Sequence, residues 1–210
     1  MSLQEHQLRG LRVAFLCASE GTERVELEQP WEVVTELGAT AELISAQEGK
    51  IQLFDHLDKS KTAAVDRTLD KVSAADYDVL VLPGGVANPD QLRMNEMAVD
   101  FVRGFFELSK PVAAICHAPW TLIEAGVVDR RQLTSWPSLQ TDLRNAGADW
   151  VDQELCVDEI DGQVLITSRK PDDLPAFCDA LVKQCAEAHA HTQASMSEEQ
   201  TASEQRSAQR

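Results

Sequence analysis

The stretch Lys110–Gly126, KPVAAICHAPWTLIEAG, decides how the rest of the chain is read. Val112–Ile115 is a short, wholly apolar run that starts after a Lys-Pro breaker and stops at Cys116-His117. Pro119 stands where a helix would begin and Gly126 where it would end, the usual asymmetry of helix termini. A buried strand, a polar corner carrying a nucleophile and a helix make the plan of a nucleophile elbow. Such a turn presents one side chain, with nearby N–H groups, at the carboxyl edge of a sheet. A helix N-terminus behind the thiol favours the thiolate. A cysteine that closes a buried strand is ordinarily packing. One followed by histidine at a proline-started helix points instead to Cys116 as a catalytic nucleophile.

The flanking sequence supplies the rest of an α/β sandwich. Leu11–Cys17, LRVAFLC, is the near-continuous apolar run of a central parallel strand, and it gives way to the polar loop ASEGTER. Leu27, Trp31, Val34 and Leu37 then recur at helical spacing up to a Gly38 cap. Ala41–Ser45 predicts a second strand, Ile51–Val65 a mixed polar hairpin, and Tyr77–Leu82 a strand closed by Pro83-Gly84-Gly85. Asn95 caps a helix whose apolar face is Val99, Val102, Phe105 and Phe106. After the elbow come a short strand at Leu133–Trp136 and a helix at Leu139–Ala146. Glu154–Ile160 and Gln163–Ser168 then flank an Asp161-Gly162 turn. The last helix starts at Asp172 or Asp173 and places Leu174, Phe177, Cys178, Leu181, Val182 and Cys185 on one face. Alternating strands and helices imply a flavodoxin-like three-layer sandwich with a mostly parallel sheet. The organisation predicted is an N-terminal extension (1–9), one domain (10–188) and a polar tail (189–210) that lacks any period.

Composition narrows the class. In 210 residues the formal charge is −16, and the last 22 residues account for only −1 of it (three Glu against two Arg), so the acidity belongs to the domain. That charge argues against nucleic acid and anionic membrane as partners. No apolar run nears the roughly 18 residues a membrane span needs, and the opening residues read as a first strand rather than a signal peptide. Five cysteines without C-x-x-C spacing read as reduced thiols of a cytoplasmic protein.

In an open α/β sheet the site lies beyond the carboxyl ends of the strands. Glu23 or Glu20 can reach the Cys116 sulfur from the first loop, and a protonated carboxyl there would donate to a thiolate. The N–H groups of Gly85 and His117 can form an oxyanion hole. The five histidines are His6, His56, His117, His189 and His191. None follows the last strands except in or beside the tail, so the Ser/Cys–Asp–His chain order of a hydrolase triad is missing. His117 adjoins Cys116, and the two side chains diverge unless the turn brings them back. His56 reads as a loop residue.

AICHAPWTLIEAGV, VLPGGVANPDQLR, ERVELEQPWEVVTELGA and TSWPSLQTDLRNAGADWVDQE together resemble the PfpI-type intracellular proteases and general stress proteins of the DJ superfamily, over about residues 10–186. The resemblance implies a flavodoxin-like fold related to class I glutamine amidotransferase domains. It makes Cys116 the nucleophile, Glu23 the carboxyl partner and His117 the adjacent imidazole. It also implies an acidic residue from a neighbouring subunit, here Asp90 where the family often has Glu, and hence a homodimer or larger homo-oligomer. Ala114 and Ala118, and the lack of a His-x-Glu pair, depart from the amidotransferases proper.

The function expected is a stress-response cysteine hydrolase or lyase without cofactor or metal. Its substrates would be small carbonyl compounds, glycated adducts or peptides, by glyoxalase, deglycase or protease chemistry. The alternatives are a redox-sensing or chaperone-like protein with an oxidisable Cys116, and an inactive amidotransferase-like module.

Overall fold

Along the first strand the side chains alternate between two buried faces, which fixes a three-layer arrangement. The computed structural model describes residues 7–190. In it Val13 and Phe15 pack with Leu27, Val34, Phe177 and Leu181, while Ala14 and Leu16 pack on the opposite side with Val102, Phe105 and Leu122.

The chain begins with β1 (Arg12–Leu16), β2 (Glu20–Glu23), α1 (Arg24–Glu36), β3 (Thr40–Ser45), β4 (Lys50–Asp55), β5 (Asp58–Ala64) and β6 (Arg67–Thr68). The middle holds β7 (Val79–Leu82), α2 (Ala87–Leu92), α3 (Glu96–Glu107), β8 (Val112–Ile115) and α4 (Pro119–Glu124). Then follow β9 (Gln132–Leu133), α5 (Gln140–Asn145), β10 (Asp149–Trp150), β11 (Cys156–Ile160) and β12 (Gln163–Ser168). A last helix, α6, covers 174–190. The central sheet has the order β11-β12-β8-β7-β1-β3-β6, parallel throughout except for the β11–β12 hairpin. Its turn follows the sequence signal: Asp161 and Gly162 both take positive φ, 52° and 79°.

Several local expectations shift. The acidic segment after β1 is not a bare loop: Glu20–Glu23 forms β2 and pairs in parallel with β4, which joins β5 to make a separate three-stranded sheet. Only Gln132–Leu133 of the stretch up to Trp136 is strand, because Pro137 opens a 3-10 turn that leads into α5. The segment before β1 contributes to the core, since Leu8 is fully buried and its N–H donates to Leu37 O (2.9 Å). Residues 189–190 continue α6, and the rest of the predicted tail lies outside the described residues. Among the described residues no helix is long and apolar enough to cross a membrane.

Candidate active site

β8 lies in the middle of the sheet and delivers Cys116 to its carboxyl edge. Both sides of that residue's backbone are tied down: its N–H donates to Ser168 O (3.0 Å), and its carbonyl accepts from Trp136 N (2.8 Å). Between these ties Cys116 adopts φ 64°, left-handed and costly for a residue with a Cβ. The strain turns the side chain out of the strand direction, and it also brings the next residue back: His117 Nδ1 sits 3.2 Å from the sulfur. The expected divergence of adjacent side chains is therefore overcome. α4 has only six residues. The sulfur accordingly meets individual N–H groups, those of Gly85 and His117, rather than a long helix dipole.

The Pro83-Gly84-Gly85 turn after β7 fits against this corner because it lacks side chains. A Cβ on Gly84 would lie 2.6 Å from the Cys116 Cβ and 2.6 Å from Glu26 Oε2. Gly85 has φ 84°, and a Cβ there would meet Gly21 O at 2.0 Å. Asn88 of α2, fully buried, braces the same edge by accepting from Ala18 N (2.7 Å) and donating to Pro83 O (2.8 Å).

The carboxyl partner of the sulfur is Glu26, not Glu23. Glu23 occupies the residue position before α1 without capping it, its side chain turning instead toward the β4–β5 hairpin. There Oε2 accepts from His56 N (2.9 Å) and lies 3.7 Å from His56 Nδ1. Glu26, one turn further on, enters the core beneath the sulfur with no exposed surface. Its Oε2 accepts from Gly84 N (2.8 Å), and the carboxyl interacts with the Cys116 thiol. The sequence held a signal for this. Glu26, Leu27, Pro30 and Val34 are the buried positions of α1, so Glu26 falls on the apolar stripe. Glu20 is exposed on β2. Asp90 is exposed in the first turn of α2, and among the described residues it forms no ion pair. His56 sits at the hairpin tip with its side chain in solvent.

Electrostatics follow burial. Burial, then the nearby charge of Glu23, raises the Glu26 pKa to about 8, against the lowering bond from Gly84. Burial also pushes the Cys116 thiol up, as does the charge of Glu26, while the N–H groups of Gly85 and His117 pull it down. Burial lowers His117 to about 4. That imidazole stacks on Trp136 (ring centroids 5.5 Å apart, 22° between planes) and leans on Trp120 at 5.4 Å. The other thiols are raised by burial alone or nearly so, Cys17 and Cys185 to about 12, Cys156 and Cys178 to about 11. Among the described residues no three His, Cys, Asp or Glu side chains are grouped to hold a metal ion.

Comparison with known proteins places this geometry. A family profile described as DJ-1/PfpI family matches residues 11–184. The chain is 43% identical over 173 residues to Deglycase PH1704 of Pyrococcus horikoshii, covering 82% of this chain and 98% of the relative. It is 40% identical over 166 residues to Protein/nucleic acid deglycase 2 of Escherichia coli, covering 79% and 92%. Among solved structures, Drosophila melanogaster DJ-1beta superimposes with a TM-score of 0.73 at 25% identity, over 89% of this chain and 97% of that one.

Proposed function

The chain belongs to the DJ-1/PfpI family, and on that premise we propose that it is a cysteine-dependent enzyme acting on reactive carbonyls and the adducts they leave on amines and thiols. One observation carries this: a strained Cys116 whose sulfur meets two N–H donors, a buried carboxyl and a neutral imidazole. The relatives named deglycases support the substrate class. Glycated protein or nucleic acid then joins small 2-oxoaldehydes as a substrate, whatever the chain's own acidity says about binding nucleic acid as a partner.

Glu26 holds its proton near neutral pH because ionisation in the core is costly. A neutral Glu26 removes the charge that opposes thiolate formation and offers its proton to the sulfur as a hydrogen bond. Glu26 keeps its proton, and the thiol passes its own to His117 only as the S–C bond forms, because an imidazole lowered to about 4 does not hold it in the resting site. The thiolate adds to the aldehyde carbon of a 2-oxoaldehyde. An S–C bond forms, the π pair moves to oxygen, and that oxygen takes the proton from His117, with the N–H groups of Gly85 and His117 as the oxyanion hole. With an amine adduct the same attack breaks the C–N bond, and the thiol proton leaves on the amine.

Either route gives a hemithioacetal on Cys116. Glu26, whose pKa of about 8 suits transfer in both directions near neutrality, gives its proton to the carbonyl oxygen of the neighbouring carbon. As the carboxylate it then takes the proton of the aldehyde carbon and delivers it to that neighbour, the hydroxyl proton of the first carbon restoring the acid. The first carbon is oxidised to a thioester and the second reduced to an alcohol. Water then cleaves the thioester, releasing a 2-hydroxy acid and the free thiol. Asp90 enters only through a second copy of the chain, where its carboxylate would orient the neighbour's His117; full activity in a species that sediments as a monomer at micromolar concentration would remove it.

The test is a panel of methylglyoxal, its adducts with N-acetylcysteine and with a lysine peptide, and an unmodified peptide, each against Cys116→Ala. Lactate release from the first three, absent in the variant, is the result expected. Cleavage of the unmodified peptide without lactate release would replace the proposal with a peptidase.

A further inference from the structure

The stretch around Ser135, Trp136 and Trp150 takes no part in the chemistry just described, yet it forms a continuous set of contacts ending on the nucleophile. Trp150 Nε1 donates to Ser135 Oγ (2.9 Å), Ser135 Oγ donates to Trp136 O (2.9 Å), and Trp136 N donates to Cys116 O (2.8 Å). Ser135 is fully buried and Trp150 nearly so. Thr134 N donates to Thr167 Oγ1 (3.0 Å), which fastens the same segment to β12. The backbone of Trp136 is therefore fixed from both sides, which sets where its indole starts. That indole lies nearly parallel to the His117 ring, and the residue as a whole is 37% exposed.

From this juxtaposition we infer that Trp136 is a positioning residue: its ring fixes the plane of His117 against the Cys116 sulfur and shields the imidazole from water. The inference rests on His117 carrying protons for the thiol, as in the function proposed above. Two aromatic contacts constrain the imidazole. Trp120 touches it tilted, at 55°, and is itself held by its Nε1 bond to Asp142 (2.9 Å) and by Arg93 over its ring. Trp136 supplies the flat contact that leaves Nδ1 pointed at the sulfur, 3.2 Å away. The titratable and charged groups around His117 are Cys116 at Nδ1, Glu26 behind that sulfur, and Asp142 and Arg93 on the far side of Trp120. None of these forms an ion pair with the imidazole among the described residues, so shielding rather than charge governs its protonation.

A side-chain substitution at Trp136 leaves its N–H bond to Cys116 O available, so the strained corner persists while the stack is lost. The experiment uses Trp136→Ala, Trp136→Phe and Trp136→Leu in the full chain, with thermal melting to verify folding. Two quantities are read: the NMR titration of the His117 ring, and the pH profile of iodoacetamide alkylation at Cys116. In wild type His117 should titrate near its value of about 4; in Trp136→Ala and Trp136→Leu it should move toward the ordinary 6.5. Cys116 alkylation near neutrality should fall in both, on the order of 10²-fold, the lower end of what a positioned proton carrier contributes. Trp136→Phe, which keeps a flat ring, should stay within about twofold of wild type in alkylation and titrate as wild type does. Should Trp136→Ala fail to fold, the Phe and Leu variants decide. Leu matching Phe in both readouts, or an unmoved His117 titration in the variants without a flat ring, overturns the inference. Neither readout needs a carbonyl substrate. Failure of lactate release with these shifts intact would strike the proposed reaction and leave the role of Trp136 standing.

Discussion

Two cysteines close two strands of the same sheet, with only β7 between them, and their fates differ. Cys17 follows β1 and Cys116 follows β8. Both are buried, Cys17 completely and Cys116 at 5% exposure. Cys17 faces the apolar layer under α1, where burial pushes its thiol to about 12 with only Thr22 to offset it. Cys116 sits at φ 64°, among N–H donors, a carboxyl and an imidazole. Residue type, strand end and depth are nearly shared. What separates a packing thiol from a candidate nucleophile is the backbone corner and the groups it turns the sulfur toward.

The comparison breaks most sharply under substitution. Cys116→Ala should lower turnover of carbonyl adducts on the order of 10⁴-fold, whereas Cys17→Ala should leave kcat within about twofold; steady-state lactate release measures both. Equal losses in the two variants would dissolve the distinction. Alkylation comes next. Burial raises all three thiols, so the order rests on what surrounds each sulfur. Cys17 and Cys185, fully buried among apolar side chains, should stay unlabelled by iodoacetamide in native protein at pH 7, while Cys116, with N–H donors and an imidazole at its sulfur, reacts. Peptide mass spectrometry reads the order directly.

Glu26→Gln sharpens the contrast through stability. The folded pKa of Glu26, about 8, exceeds the unfolded value of 4.5, so the native state binds the extra proton. Its favourable contribution is complete below pH 4.5 and is lost as pH rises through about 8, a fall on the order of 3 kcal/mol by neutrality. Urea denaturation across this range should show that slope in wild type and a flatter one in Glu26→Gln. The smallest effect belongs to Glu23→Gln, which keeps an acceptor for His56 N and should alter kcat by less than about threefold.

Much of this was legible in the sequence because the signals are local. The elbow, the Gly-Gly turn, the Asp-Gly hairpin and the helical stripe of α6 each lie within a dozen residues and announce their period or their breaker. Asn95 caps α3 as its position suggested, its side chain accepting from Ala98 N. Glu26 was missed because the segment before it reads as a polar loop. In the fold that segment is β2, held by the β4–β5 hairpin, so α1 begins at Arg24 and rotates Glu26 rather than Glu23 under the sulfur. Asn88 and Trp136 were illegible for a different reason. Each acts through a backbone group some 20 to 70 positions away, and no spacing rule encodes such a partner.

The Cys116 corner draws its parts from Glu26, Gly84, Gly85, Trp136 and Ser168, with Ser168 closing the backbone ties on the last strand. During synthesis the chain must therefore emerge past β12 before this environment is complete. Until then Cys116 is an ordinary thiol on an unstructured segment. Its reactivity is a property of completion, acquired late because every contact except those of the adjacent His117 is long in sequence separation. The same dependence makes the thiol a reporter of integrity: loosening β12 or the start of α1 would return Cys116 to the chemistry of any free cysteine, well before the sheet as a whole came apart.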